Sequence, residues 1–335
     1  MSPKITISAI HHITAITPSA AENLAFYENV LGLRLVKQTV NFDDPYTYHL
    51  YYGDNRGTPG TILTFFPWEN LPQGVPGAGM VTAIAFAAPL RAFDFWRRRL
   101  ERMTCDVKTG ERFGDPVLHF ADPHGLPLEL IGQSEPPVTP HWRAGPVPAE
   151  NAISGFHSAT ATLHHWPENR ALFSSLLGMT LFKQAGNRYR FASGDTRAAG
   201  HFWDVVIDPQ APLGQQGGGT VHHIAFRAAS DAAQLEWQSR LRAANISVTE
   251  VRDRKYFRSI YFHAPQRLLL EIATDGPGFS VDEDEAVLGA SLKLPQSYEP
   301  MRADIERHLP PLRTSTQVPA DTCAPTEPVP EDHSV

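Results

Sequence analysis

Cysteine is nearly absent: the 335 residues hold two, Cys105 and Cys323, far apart in the chain. That excludes a disulfide scaffold and a Cys-rich structural zinc site, and the pair reads as free thiols of a reducing, cytoplasmic compartment. Long apolar runs are also missing. None approaches the roughly 20 residues that span a bilayer, and histidines and polar residues break the first dozen positions, so neither a membrane span nor a signal peptide is expected. Positive charge is in deficit, with 29 Lys and Arg against 36 Asp and Glu and a net charge of -7, which argues against a nucleic-acid partner. Gly217-Gly218-Gly219 precedes a strand pattern rather than opening a helix, so it is no dinucleotide loop. No phosphate loop, nucleophile elbow or Cys-x-x-Cys pair occurs.

What is present is a repeat. Four β-prone segments begin alike at Ile7 (ISAIHHITAIT), Gly79 (GMVTAIAFAAP), Ile153 (ISGFHSATATL) and Gly219 (GTVHHIAFRAA), each followed by a helical pattern. Their spacing of roughly 70 residues exceeds solenoid periods. Ser19 and Glu22 form a capping-box sequence, and Gly32 and Gly178 are placed to end the first and third helices. Helices are also predicted over 92–103 and 232–244. After the glycines, Leu33 to Gln38 parallels Met179 to Gln184, and Phe120 to Leu130 parallels Phe262 to Ile272. The order is ABAB, a duplicated two-module unit.

The fold class expected is α+β, four βαβββ modules forming two open-barrel domains. In chain order these are 5–133 and 153–275, joined by a proline-rich linker over 134–152. A C-terminal extension follows over 276–309, with a short helix over 301–308, and residues 310–335 are expected to be disordered. The acidic run Asp282 to Glu285 reads as a solvated loop.

The chemistry lies in two histidine pairs, His11-His12 and His222-His223, which fall in register within the repeat, and in Glu271 within the apolar run Leu268 to Ile272. A carboxylate among leucines is costly unless paired or bound to a cation. Two imidazoles and one carboxylate on one face of a metal leave open positions for substrate and oxygen, which suits ferrous iron and, less often, manganese. Alternation along a strand predicts that one member of each pair faces the interior. Modules two and three carry Ala83 and Ser158 at the second-histidine position, so one site is expected rather than two.

The strand-helix-three-strand repeat, with His on its first strand and Glu on its last, resembles the vicinal oxygen chelate superfamily. That superfamily includes glyoxalase I, fosfomycin-resistance proteins and extradiol ring-cleaving dioxygenases. Ile10 to Thr14, Tyr48 to Tyr52, Gly57 to Thr61, Gly155 to Ser158, Asp253 to Lys255 and Asp282 to Glu285 resemble the hydroquinone-cleaving branch (2,6-dichlorohydroquinone 1,2-dioxygenase and relatives). The likeness covers residues 5 to 300. It implies a ferrous ion held by His12, His223 and Glu271, and a barrel shared by modules one and four. The other extradiol branch takes a ligand from the third module, where His157 is nearest, but His157 aligns with His11.

The same likeness implies catalytic roles for His11, His222, Tyr261 and Thr14 around the metal. Tyr261 would bond an aromatic hydroxyl or bound oxygen, and the two histidines would support ligands or exchange protons. The stretch over 253–258 is shorter than in the chlorohydroquinone enzymes, which leaves Lys255 or Arg258 as the cation of the pocket. The expected activity is an extradiol-type ring-cleaving dioxygenase using O2 on a small hydroquinone or catechol, in a homo-oligomer. The alternatives are a metal-dependent isomerase or lyase of the glyoxalase type, and a non-catalytic protein that binds an aromatic ligand.

Overall fold

The computed structural model describes residues 6–103, 106–194 and 197–312. Cys105, Cys323 and positions 313–335 of the expected disordered tail lie outside the described residues. The first module runs through strand β1 (Ile10–Thr17), helix α1 (Ala20–Leu24) and strands β2 (Arg34–Asn41), β3 (Asp44–Gly53) and β4 (Ile62–Pro67). The second has β5 (Met80–Pro89), α2 (Phe93–Arg102), β6 (Lys108–Arg112), β7 (Asp115–Ala121) and β8 (Pro127–Gln133). The third has β9 (Phe156–Leu163), α3 (Trp166–Arg170), β10 (Thr180–Ala185), β11 (Arg188–Ala192) and β12 (Phe202–Ile207). The fourth has β13 (Thr220–Ala228), α4 (Asp231–Ala243), β14 (Arg252–Asp253), β15 (Arg258–His263) and β16 (Leu269–Thr274).

Local chemistry accounts for the helix ends. Ser19 Oγ accepts from the Glu22 N–H at 3.3 Å, while the Glu22 carboxylate turns to His124, 3.4 Å away. Half of the capping box therefore forms. Helices α1 and α3 both continue as π-helical turns, over Ala25–Val30 and Ala171–Leu176. These place Tyr27 against Phe65 and Phe173 against Trp203. Gly32 ends the first helix at φ +69°, and a Cβ there would lie 2.6 Å from Val147 of the linker. The linker is thus packed, with Val147 and Trp142 buried.

The strands form two eight-stranded sheets that cross the chain order. One runs β14-β15-β16-β13-β1-β4-β3-β2 and the other β10-β11-β12-β9-β5-β8-β7-β6. Modules one and four therefore build the first barrel, as the resemblance implies, and modules two and three the second. The chain-order units 5–133 and 153–275 each give one module to each barrel, because β1 pairs antiparallel with β13 and β5 with β9. The barrels share one apolar core, where Trp203 of the second meets Phe226 of the first. No helix among the described residues is long and apolar enough to cross a membrane.

The C-terminal extension covers the outer edge of β2. Gln38 Nε2 donates to Gly289 O at 2.7 Å, and the Lys293 N–H donates to Gln38 O at 2.9 Å. The expected solvated acidic loop is instead an anchor. Lys37, fully buried, places Nζ 2.7 Å from Asp282 Oδ1 and 2.5 Å from Glu283 Oε2. A buried ammonium requires paired anions, and this run supplies them. Strand β10, the counterpart of β2, has no such cover and is exposed along its length.

Candidate metal centre

All four module-opening strands carry a β-bulge at one position. Pairing jumps from Ile10–Phe226 to His12–Ala225, which leaves His11 extra on β1. On the partner strand it jumps from His223 to Val221, which leaves His222 extra. Thr82 and His157 are skipped in the same way in the second barrel. A bulge inserts one residue and re-aims its side chain. The expectation that neighbouring histidines face opposite sides is corrected here, because each pair meets through its rings. His11 Nδ1 is 2.9 Å from His12 Nδ1, and His222 Nδ1 is 2.7 Å from His223 Nδ1.

With their Nδ1 atoms engaged, His12 and His223 aim Nε2 at a common point. Glu271 Oε2 lies 3.3 Å from His12 Nε2 and 2.9 Å from His223 Nε2. Candidate ligand atoms of the three residues lie within 4.8 Å of one another. Among the described residues this is the one cluster of three or more His, Cys, Asp or Glu with such spacing. Glu271 Oε1 accepts a short bond from Ser259 Oγ, yet Oε2 is buried without a hydrogen-bond partner. Lone pairs converging on a gap, with an orphaned buried oxygen among them, fit a cation held between the three residues.

The charges agree with this. Burial would raise the Glu271 carboxyl, but the His12 and His223 imidazoles hold it well below the usual carboxylate range. Burial, with His12 next to it, depresses His11 well below its ordinary value. Burial, followed by the neighbouring His223, lowers His222 to about 3. At neutral pH both outer histidines are uncharged. A metal on Nε2 of His12 and His223 requires their protons on Nδ1, donated to His11 and His222, whose own protons then sit on Nε2.

A cavity of about 460 Å³ opens beside the three residues. Thr14, His222 and Tyr261, expected around the metal, line it, whereas His11 does not and packs behind His12 against Phe257. Phe66, Trp68, Phe257 and Leu269 supply apolar wall. Thr14 accepts from Thr64 Oγ1 at 2.8 Å, which continues through His49 to the Tyr51 hydroxyl. The sequence reading gave His49 and Tyr51 no role.

The cation of the cavity is also corrected. Lys255 Nζ lies 2.6 Å from Asp282 Oδ2, and Arg258 bonds Asp231 on the exposed side. Arg252 and Arg254 line the cavity instead, and Arg254 Nε donates to the Tyr261 hydroxyl at 3.2 Å. Burial and the nearby Glu271 keep that phenol protonated at neutral pH. A signal for Arg254 lay in the repeat, since Arg112, His119 and Glu129 have the same spacing as Arg254, Tyr261 and Glu271.

The second barrel has the same frame and, among its described residues, no such cluster. Its two histidine positions are Ala83 and Ser158, and Glu129 is taken by Arg112 and His119. His157, the nearest candidate under the rival branch, bonds Ser158 Oγ at 2.9 Å and is not part of the His–His–Glu cluster.

Two barrels of βαβββ modules, one bearing two histidines and a glutamate beside a cavity, define a duplicated scaffold with one candidate metal centre. The chain belongs to the Glyoxalase/Bleomycin resistance protein/Dioxygenase superfamily, whose family model matches residues 9–130 and 156–281. It is 45% identical over 304 residues to "Putative ring-cleaving dioxygenase MhqO" of Bacillus subtilis, covering 90% of this chain and 96% of that protein. It is 34% identical over 312 residues to the chlorohydroquinone/hydroquinone 1,2-dioxygenase of Sphingobium indicum, covering 90% and 95%. A crystal structure of a "putative dioxygenase" from Bacillus subtilis superposes with a TM-score of 0.89 at 44% identity, covering 92% of this chain and 99% of that one. Glyoxalase I from Zea mays shares the fold alone, at 10% identity and a TM-score of 0.61 over 80% of this chain and 92% of that one.

Proposed function

We propose that this chain is a non-haem, metal-dependent dioxygenase that opens the ring of a hydroquinone, or of a related catechol, with O2. The observation that carries the reading is the convergence of His12 Nε2, His223 Nε2 and the buried Glu271 Oε2, with both histidines lining an aromatic-walled cavity. The relatives named as ring-cleaving dioxygenases support it. His12, His223 and Glu271 would hold the metal, ferrous iron with manganese as the alternative. The chemistry such a metal would supply is Lewis-acid binding of an ionised aromatic hydroxyl and one-electron exchange with dioxygen.

The protein's own groups do the rest. Phe66, Trp68, Phe257 and Leu269 offer a dry slot for one ring. His222, neutral with its proton on Nε2, presents a donor to an oxygen in the cavity. Tyr261 accepts from Arg254 and keeps its own hydrogen to donate. Thr14 is tied to Thr64, and His11 fixes the ring of His12 from behind.

The test is oxygen uptake by anaerobically iron-loaded protein given hydroquinone, catechol or a methylglyoxal–thiol adduct. One O2 consumed per ring, without peroxide release, is expected with hydroquinone. Iron-replete protein that consumes no oxygen, or that isomerises the thiol adduct instead, overturns the reading.

A further inference from the structure

The two barrels carry one arginine at the same station and use it oppositely. In the second barrel, Arg112 lies on Glu129 through both terminal nitrogens, with Nη2 to Oε1 at 2.5 Å. In the first barrel the equivalent Arg254 leaves Glu271 alone. Its Nε donates to Tyr261, and both Nη atoms donate to Asp43 Oδ2 at 3.2 Å. Arg252 joins the same carboxylate, with Nη1 3.8 Å from Oδ1.

Asp43 sits at the tip of the turn between β2 and β3, on the rim of the cavity. The corresponding turn between β10 and β11 is Gly186-Asn187 and has no carboxylate. That turn offers Arg112 no rival acceptor, and the nearby Asp204 is engaged by Arg188 and Arg190. A free guanidinium beside a buried carboxylate will bond it bidentately, because that pairing is among the strongest available to either group.

We propose that Asp43 is a positioning residue that latches Arg254 to the cavity rim, keeping Glu271 free for a divalent cation. Without it, Arg254 swings inward and occupies the cation's place, as Arg112 does in the second barrel. The inference rests on the metal reading above. Asp43 is largely exposed, so the ion pair is weak by itself. The latch needs only to tip a balance between two acceptors of one guanidinium.

Equilibrium dialysis against Mn(II) tests this without any turnover. Wild type should take up one Mn(II) per chain, and Asp43→Asn should bind about fivefold more weakly, near the limit for an exposed pair. Asp43→Glu should bind like wild type. Removing the competitor should cure the defect: Asp43→Asn combined with Arg254→Met should match Arg254→Met alone. Damage to the turn would not be cured in that way. Equal binding by Asp43→Asn and wild type, or no recovery in the double variant, overturns the latch. Wild type that binds no Mn(II) and no Fe(II) overturns the metal reading itself, a separate result.

Discussion

Arg112 closes a bidentate ion pair on Glu129 at the place in the second barrel that His12, His223 and Glu271 share in the first. One barrel thus satisfies its buried carboxylate with an internal cation, and the other leaves a carboxylate oxygen without a hydrogen-bond partner.

That pair predicts an acid sensitivity. Burial would raise the Glu129 carboxyl, but His119 and Arg112 bring it down to about 2. A carboxyl lowered in the folded state stabilises the protein above its unfolded value, near 4.3, and loses that contribution as pH falls toward 2. The amount is on the order of 3 kcal/mol. Urea titrations between pH 6 and 2.5 should show stability falling with pH. Glu129→Gln should be less stable at pH 6 and show a flatter profile; a profile as steep as wild type refutes the assignment.

Metal binding should be visible as stability. A ligand at a hundred times its dissociation constant adds about 2.7 kcal/mol, so Fe(II) under nitrogen, or Mn(II), should raise the wild-type melting temperature by a few degrees. EDTA should reverse the shift. His12→Ala, His223→Ala and Glu271→Ala should show no shift, and any one that keeps it is not a ligand.

His11 and His222 make like contacts but should fail differently. Each bonds an imidazole of the proposed metal set, so His11→Phe and His222→Phe should each weaken metal affinity about 10- to 100-fold. Only His222 lines the cavity. With metal in excess, His11→Phe should recover most turnover of hydroquinone, whereas His222→Phe should not. Equal recovery would assign both a purely supporting role.

Lys37 should be critical although it is remote from the chemistry. Lys37→Met removes the buried cation shared by Asp282 and Glu283, leaving Asp282 to Lys255 and Glu283 to Ser291, and breaking such a buried pair costs up to about 3–5 kcal/mol. Limited proteolysis should then cut between 282 and 295, where wild type resists. An unchanged cleavage pattern would show that the remaining bonds, from Gln38, Arg34 and Lys255, suffice to hold the extension.

The modules were legible because strand, helix and a terminating glycine recur with the same spacing, so Gly32 and Gly178 mark two copies of one turn. His12, His223 and Glu271 stood out because charged and polar groups interrupt apolar strands. The bulges were not legible. β1 is buried along its whole length, so alternation gives no register and an extra His11 leaves no mark. Lys37 and Asp282 are 245 positions apart, and nothing in either neighbourhood announces the other. Lys255 attracted notice beside the cavity residue Arg254. The tight turn, with Lys255 at φ +66°, sends its side chain to Asp282 instead.

The pairing of β1 with β13 also sets an order of assembly. Every strand of the second barrel lies between Met80 and Ile207, so that barrel has all its parts while the fourth module is still unmade. The first barrel must hold β1 in reserve across roughly 200 residues, a long loop to close and a slow contact to form. A chain halted between Ile207 and Glu271 can contain a finished second barrel and both members of the first histidine pair, yet lack the carboxylate of the His–His–Glu cluster. The His–His–Glu cluster is therefore the last part of the two barrels to form, made only when the fourth module joins the first.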